Sequence, residues 1–172
     1  NGIGISAVHW VLINTEGMHM THTDPAVRSK TSDYFCELVK FCADLGGEAI
    51  VVGSPKQRNL LPGVSFEQAW ELARETFVPS VKLAEDKGVT ICFEPLAPSE
   101  TDFVNTAAKG IEFIRQFDSD AFKIILDVKA MCSDPKPIPD IIRDSHPDFA
   151  YFHANDANLK GPGFGDVDFK PI

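Results

Sequence analysis

Apolar runs of strand length recur along the chain, each followed by a segment with helical spacing. The runs lie at residues 4–12, 49–53, 90–94, 123–128 and 149–154. They are rich in β-branched and aromatic side chains, and their apolar positions are continuous instead of alternating. This pattern is typical of parallel strands that are buried on both faces of a sheet. We therefore predict five parallel strands.

The segments between the runs carry helix start and stop signals. Asp24-Pro25 supplies a cap and a proline at the first helical position. Ser65 and Gln68 form a capping box for a second helix that ends at Gly88. The predicted core faces are Tyr34, Leu38, Phe41, Cys42 and Leu45 in the first helix and Ala69, Trp70, Ala73, Phe77 and Val81 in the second, and further helices are predicted at residues 105–117 and 138–145.

Strands that alternate with helices, without a β-hairpin signal, predict a parallel α/β sheet, either open and doubly wound or closed as a barrel. Neither G-x-G-x-x-G nor G-x-x-x-x-G-K-[ST] follows any of the strands. Dinucleotide-binding and P-loop functions are therefore excluded. A chain of 172 residues, 44% hydrophobic and 24% charged, is expected to form one domain over residues 1–172.

The composition of the chain limits the kinds of partner and environment that we expect. Sixteen basic against 25 acidic side chains give a net charge of −9, which would repel a phosphate backbone, so no nucleic-acid partner is expected. No run of about eighteen apolar residues and no basic-then-apolar leader is visible, which predicts a cytoplasmic protein without a membrane segment. The cysteines, Cys36, Cys42, Cys92 and Cys132, lack C-x-x-C spacing and are expected to be buried structural residues.

Three consecutive predicted strands end in a potential metal ligand. Glu94, Asp127 and His153 each follow two or three apolar residues at a strand end. Any one of them could be a helix cap or an ion-pair partner. In a (β/α)₈ barrel, however, successive strands aim such groups at one central point. Two carboxylates and an imidazole suit Mn²⁺, Mg²⁺, Co²⁺ or Zn²⁺, so we predict a catalytic divalent-metal site.

Several motifs resemble those of the sugar phosphate isomerases/epimerases within the xylose-isomerase-like barrel superfamily. The resemblance covers the whole chain and implies a (β/α)₈ TIM barrel, of which strands three to seven are visible. It also implies that Glu94, Asp127 and His153 are ligands from strands five to seven, with a fourth ligand, a Glu, on strand eight. The motifs are Glu94-Pro95-Leu96, Glu100-Thr101-Asp102-Phe103, Asn105-Thr106, Leu126-Asp127, His153-Ala154-Asn155-Asp156 and Gly161-Pro162-Gly163-Phe164-Gly165, with Ala7-Val8-His9-Trp10 and residues 52–58 upstream.

The resemblance implies an isomerase or epimerase of a ketose, a sugar phosphate or a related polyol ketone. Glu94 would remove a carbon-bound proton next to a metal-bound carbonyl while also serving as ligand. Three positions depart from the family pattern, where Ala97, Ala130 and Leu159 replace residues that read the sugar. The candidate substrate contacts are Glu100, His9, Lys56, Asp156 and Lys160, with Arg58 as a further cation that could bind a phosphate or carboxylate.

Two alternatives stay open. A dehydratase of an inosose or dehydroshikimate would use the same metal and base and differ only in expelling hydroxide. A barrel that has lost catalysis and binds sugars or partners would explain the altered sugar-reading positions, but it has no physical reason to keep buried charges. A zinc endonuclease of the same fold is disfavoured because it would need further histidines and a basic surface.

The number of strands predicts an incomplete barrel. A (β/α)₈ barrel takes about 250 residues, whereas five strands are visible here. We therefore expect two further strands before Asn1 and one after Ile172, and a piece that turns nothing over by itself. The unpaired edges of an open sheet invite pairing with another chain, so a homo-oligomer is left open.

Overall fold

The computed structural model describes residues 2–172, so Asn1, the first residue of the predicted domain, lies outside the described part. A single parallel sheet has the strand order β1-β2-β3-β4-β5, and each strand pairs with the next one along the chain. This order is that of a curled half-barrel, and it confirms the predicted (β/α)-barrel architecture. The strands are β1 (Ala7–Val8), β2 (Ala49–Val52), β3 (Thr90–Phe93), β4 (Phe122–Asp127) and β5 (Phe149–His153).

Helices connect consecutive strands and cover the outside of the sheet. α1 packs against α2, and α3 packs against β4. Every helix in residues 2–172 is too short or too polar to span a lipid bilayer. The helices are α1 (Pro25–Asp44), α2 (Phe66–Lys87), α3 (Ala107–Ile114), α4 (Val128–Met131) and α5 (Ile138–Ser145), with 3₁₀ turns at Pro55–Gln57 and Arg115–Phe117.

Asp24 and Ser65 are confirmed as the predicted N-cap residues of α1 and α2. The Asp24 side chain accepts a hydrogen bond from the Ala26 amide at the start of α1. The Ser65 hydroxyl accepts one from the Gln68 amide at the start of α2. Gly88 ends α2 with φ at 66°, a left-handed conformation that favours glycine.

The pleat of the strands divides the apolar residues into two cores. Side chains of a strand alternate between its faces, and one set packs outward against the helices. Phe77 of α2, for example, lies in contact with Phe35 of α1 and Phe93 of β3. The other set faces the barrel interior and forms a small cluster of Ala7, Ala49, Val51, Cys92, Ile125 and Tyr151.

Two predictions about elements are wrong. The first strand was expected over residues 4–12, but it spans only Ala7–Val8. The chain leaves the sheet because Trp10 adopts a φ of 60°, which is incompatible with an extended strand. Phe41, within α1, is 53% exposed and Leu45, just after that helix, is 43% exposed, because the buried apolar stripe of the helix lies to one side of them. That stripe consists of Phe35, Val39 and Cys42.

The prediction for the cysteines is correct in part. Cys42 and Cys92 are buried, and burial raises the pKa of the Cys92 thiol to about 12. Cys36 is half-buried, whereas Cys132 is exposed because it lies just after α4, at the end of that short helix. Expecting Cys132 to be buried was therefore wrong.

His19 fixes the loop that leads from β1 to α1. Its Nδ1 faces both the amide and the hydroxyl of Thr21, and its own amide donates to the hydroxyl of Thr31. Burial, with a smaller contribution from the nearby His22, lowers the pKa of His19 from 6.5 to about 4. The folded protein therefore favours the neutral imidazole.

This pKa predicts a loss of stability in acid. Above pH 6.5 His19 is neutral in both states, whereas between pH 6.5 and 4 only the unfolded chain takes up its proton. The free energy of unfolding should fall by about 2 kcal/mol over that interval on account of this group. His19→Asn keeps an acceptor and cannot titrate, so urea unfolding of this variant should show a shallower pH dependence. Equal slopes for the two proteins would contradict the assignment.

Candidate metal centre

One layer of inward-facing positions lies directly above the inner cluster. Because side chains repeat every second residue along a strand, the positions two residues after Ala7, Val51, Cys92, Ile125 and Tyr151 also face the interior. Those positions are His9, Gly53, Glu94, Asp127 and His153. The strand pleat and the shared direction of the strands thus bring five consecutive strand ends to one place.

Glu94, Asp127 and His153 meet in this layer. One ligand atom from each lies within 4.8 Å of those of the other two. His153 Nδ1 lies 3.5 Å from Glu94 Oε1 and 3.4 Å from Asp127 Oδ2. The side chains of Glu94 and Asp127 are only 7% and 8% exposed. The predicted convergence of these three side chains is therefore present.

Each of the two carboxylates is held by its surroundings. Asp127 Oδ1 accepts a hydrogen bond from the Ala130 amide, so this residue also caps α4. Asp127 Oδ2 accepts a hydrogen bond of 3.0 Å from Asn155 Nδ2. The Glu94 carboxylate lies across Gly53, where a Cβ would come within 2.3 Å of Glu94 Oε2.

His153 offsets part of the negative charge of the centre. Hydrogen bonds to Asp127 and then to Glu94 raise the pKa of His153 to about 9, against the effect of burial. Burial by itself would raise the pKa of Asp127, but hydrogen bonds from His153, the Ala130 amide and Asn155 outweigh it and lower the pKa. Two buried carboxylates beside one imidazole therefore require a positive charge nearby.

This donor set fits a divalent cation. The centre offers carboxylate oxygens and an imidazole nitrogen on three different strands, and the two acids are buried in the way that a cation would compensate. Asn155 orients Asp127 in the manner of the outer hydrogen bonds that fix metal ligands. Glu94, Asp127 and His153 are therefore the residues that could hold the ion.

A cavity of about 560 Å³ opens above the centre. Among the predicted substrate contacts, His9, Lys56 and Glu100 line it. The His9 ring lies 4.9 Å from the ring of His153, and burial lowers its pKa. The lining residues are His9, Trp10, Ile13, Asn14, Gly53, Ser54, Pro55, Lys56, Gln57, Glu94, Leu96, Glu100, Asp127, Lys129, His153, Asn155 and Leu159.

Three sequence candidates lie elsewhere. Asp156 is buried and accepts a hydrogen bond from the Val167 amide, which stabilises the segment after β5. It does not line the cavity. Lys160 is an exposed residue of the same loop, outside the cavity wall. Arg58 is fully buried and donates to the Glu94 carbonyl, so it is neither a surface charge nor a direct substrate contact.

Two wall residues were missed by the sequence reasoning. Lys129 lies two residues after Asp127, and its ammonium forms an ion pair of 2.8 Å with Glu100 Oε1. Asn155 follows His153 by two residues and joins Asp127 to the Lys129 amide. Both follow a ligand by two residues, and that spacing is the signal that could have identified them.

Comparison with known proteins finds relatives that are named as 3-epimerases. The chain is 26% identical over 174 residues to the D-psicose 3-epimerase of Ruminiclostridium cellulolyticum, across 100% of this chain and 58% of that protein. It is 25% identical over 153 residues to the L-ribulose 3-epimerase of Mesorhizobium japonicum, across 89% of this chain and 52% of that protein. The chain therefore spans about half the length of these curated relatives.

The structural likeness extends over the same range. A crystallised L-ribulose 3-epimerase superposes with a TM-score of 0.87 at 23% identity, across 99% of this chain and 56% of that one. The model of the xylose isomerase-like TIM barrel family matches residues 1–172. These matches confirm the resemblance and the barrel fold that the motifs predicted. The chain belongs to the xylose isomerase-like TIM barrel family.

Proposed function

We propose that this chain forms the metal-binding part of a divalent-metal-dependent sugar isomerase or epimerase acting on a ketose, a ketose phosphate or a related polyol ketone. The observation that carries the proposal is the convergence of Glu94, Asp127 and His153 within 4.8 Å below a cavity. The relatives named as 3-epimerases of D-psicose and L-ribulose support isomerisation over dehydration.

Each residue of the centre has its own role in the proposed reaction. Asp127 and His153 hold the cation, Mn²⁺, Mg²⁺, Co²⁺ or Zn²⁺, together with Glu94. When bound, the cation supplies Lewis-acid stabilisation of negative charge on a carbonyl oxygen. Glu94 accepts the proton from the neighbouring carbon at one of its carboxylate oxygens, as a general base within the cavity. Asn155 keeps the Asp127 carboxylate in place during the reaction.

The cavity supplies contacts for a polyol. Its volume of about 560 Å³ suits a small, sugar-sized ligand. His9, Glu100 and the Lys129 ammonium offer donors and acceptors for hydroxyl groups along its wall. Lys56 lies at an exposed part of the wall, where it would be available to a phosphate or carboxylate on the substrate.

Metal binding is the first expected result. The polypeptide that carries this chain should carry or take up one Mn²⁺, Co²⁺, Mg²⁺ or Zn²⁺ per chain, and Mn²⁺ should raise its melting temperature because it binds only the folded state. Asp127→Ala should weaken Mn²⁺ binding in calorimetry by tenfold or more, because the ion loses a ligand. Asp148→Asn, which changes an acid before β5 at the opposite end of that strand, should not.

The reaction class is tested by solvent deuterium. The polypeptide that carries this chain should exchange a carbon-bound proton of at least one ketose, ketose phosphate or inosose in a panel, as detected by mass spectrometry. Epimerised product supports the proposal, whereas loss of water assigns a dehydratase. Absence of both metal binding and exchange would favour a non-catalytic sugar-binding barrel.

A further inference from the structure

Arg58 is the largest of the fully buried side chains, and its relative exposure is 0%. It follows the 3₁₀ turn after β2 and reaches beneath the wall of the cavity. A buried guanidinium is costly unless its charge and its donors are compensated. Its position in the core therefore needs a physical reason.

The donors of Arg58 reach main-chain carbonyl groups. Nη1 donates a hydrogen bond of 2.7 Å to the carbonyl oxygen of Glu94, and Nη2 makes a longer contact of 3.5 Å with that of Val104. The guanidinium also lies 4.9 Å from the centroid of the Phe93 ring. Arg58 thus contacts the end of β3 and the far end of the loop that follows it.

That loop carries Glu100, a further acid of the cavity wall. It leaves β3 at Glu94, passes Glu100 and returns at Val104, whose carbonyl also accepts the amide of Leu96. Val104 adopts a φ of 62°, an unfavourable conformation for a β-branched residue that the surrounding contacts must hold. The Arg58 contacts fall at the two ends of this loop.

Charge gives the second reason for this position. Glu94 and Glu100 are the carboxylates that act on the guanidinium, and both line the cavity. The Arg58 Nε and the Glu100 Oε2 are buried, and within residues 2–172 each is without a hydrogen-bond partner. A cation beneath the two acids offsets part of their mutual repulsion.

We infer that Arg58 is a positioning residue that fixes the main chain of Glu94 and the Glu94–Val104 loop, and so sets the geometry of the metal centre and of Glu100. This inference rests on the proposed function. Arg58 does not touch the substrate; it acts through the carbonyl of Glu94. Removing its side chain should therefore impair metal binding more than removing another largely buried arginine side chain outside the cavity.

The experiment compares Arg58→Met and Arg58→Lys with Arg28→Met in the polypeptide that carries this chain. Arg28 is a matched control, because its side chain is 14% exposed and also donates to main-chain carbonyls, those of His22 and Thr23, outside the cavity. Arg58→Met should raise the dissociation constant for Mn²⁺ tenfold or more. Arg58→Lys keeps the charge but loses the planar fork, so its constant should rise about threefold. Arg28→Met should stay within twofold of the wild type.

Circular dichroism and urea unfolding separate folding from positioning. If Arg58→Met does not fold, Arg58→Lys decides, and wild-type Mn²⁺ affinity in that variant overturns the inference. Loss of stability alone, with wild-type Mn²⁺ affinity in both variants, also overturns it. If the wild type binds no Mn²⁺, the proposed function and this inference fail together; if it binds Mn²⁺ and both variants match it, only the inference fails.

Discussion

Replacing Glu94 by Gln should reduce deuterium exchange into the substrate by about a hundredfold or more, the usual effect of losing a general base. The amide keeps an oxygen for the cation and nearly the same shape, but it cannot accept the proton. Exchange is the right measurement because it reports proton abstraction whatever product follows. Mn²⁺ must be present at a concentration that saturates the variant, and its occupancy must be measured in the same sample.

Asp148→Asn provides the matched control for this acid-to-amide change. Asp148 is a buried acid that pairs with Arg115 just before β5, at the opposite end of that strand from His153. Its variant should exchange deuterium at the wild-type rate. Exchange at that same rate in Glu94→Gln, with Mn²⁺ bound, would show that the base is another residue.

The sequence predicted the strand ends well because the apolar runs, the residue types that follow them and the shared direction of parallel strands all indicated the same edge of the sheet. Continuous apolar runs identified β2 to β5, and each metal-ligand candidate follows such a run directly. The direction of parallel strands then requires their ends to share one edge. Glu94, Asp127 and His153 could therefore be chosen without knowledge of any contact.

Side chains outside the strands were harder to assign. The apolar positions of α1 form a stripe wider than the core needs, so periodicity did not distinguish Phe41, which is exposed, from Phe35, which is buried. Asp156 and Lys160 belong to a loop whose turns are set by local hydrogen bonds, such as that from the Leu159 amide to the Asp156 carbonyl. Sequence spacing does not determine where such a loop points.

The burial of Arg58 could not be predicted from the sequence for a different reason. Arginine is rarely fully buried, so an exposed or substrate-binding role was the reasonable expectation. Its burial depends on acceptors supplied by Glu94 and Val104, which lie 36 and 46 residues away along the chain. Only the packing of the loop after β3 against the turn after β2 brings these groups together.

We predict that a single methyl group added at Gly53 impairs metal binding and leaves the stability of the fold almost unchanged. It follows β2 in the same inward-facing layer as Glu94, and a Cβ at this position would lie 2.3 Å from Glu94 Oε2. The atom in the way is the end of a flexible side chain, so in Gly53→Ala the carboxylate can rotate away while the backbone stays. Stability should change by less than about 1 kcal/mol, within the usual range of mild substitutions. Mn²⁺ affinity should fall tenfold or more, because Glu94 can no longer lie across the floor of the cavity.

The control for this change is Gly161→Ala. A Cβ at Gly161 meets nothing within 4 Å, and the residue lies in the loop after β5, outside the cavity wall. Calorimetric titration with Mn²⁺ and urea unfolding should be run on both variants. Gly161→Ala should match the wild type in both measurements, and Gly53→Ala should match it only in unfolding. If Gly53→Ala binds Mn²⁺ as tightly as the wild type, then the position of the Glu94 carboxylate against Gly53 does not determine metal binding.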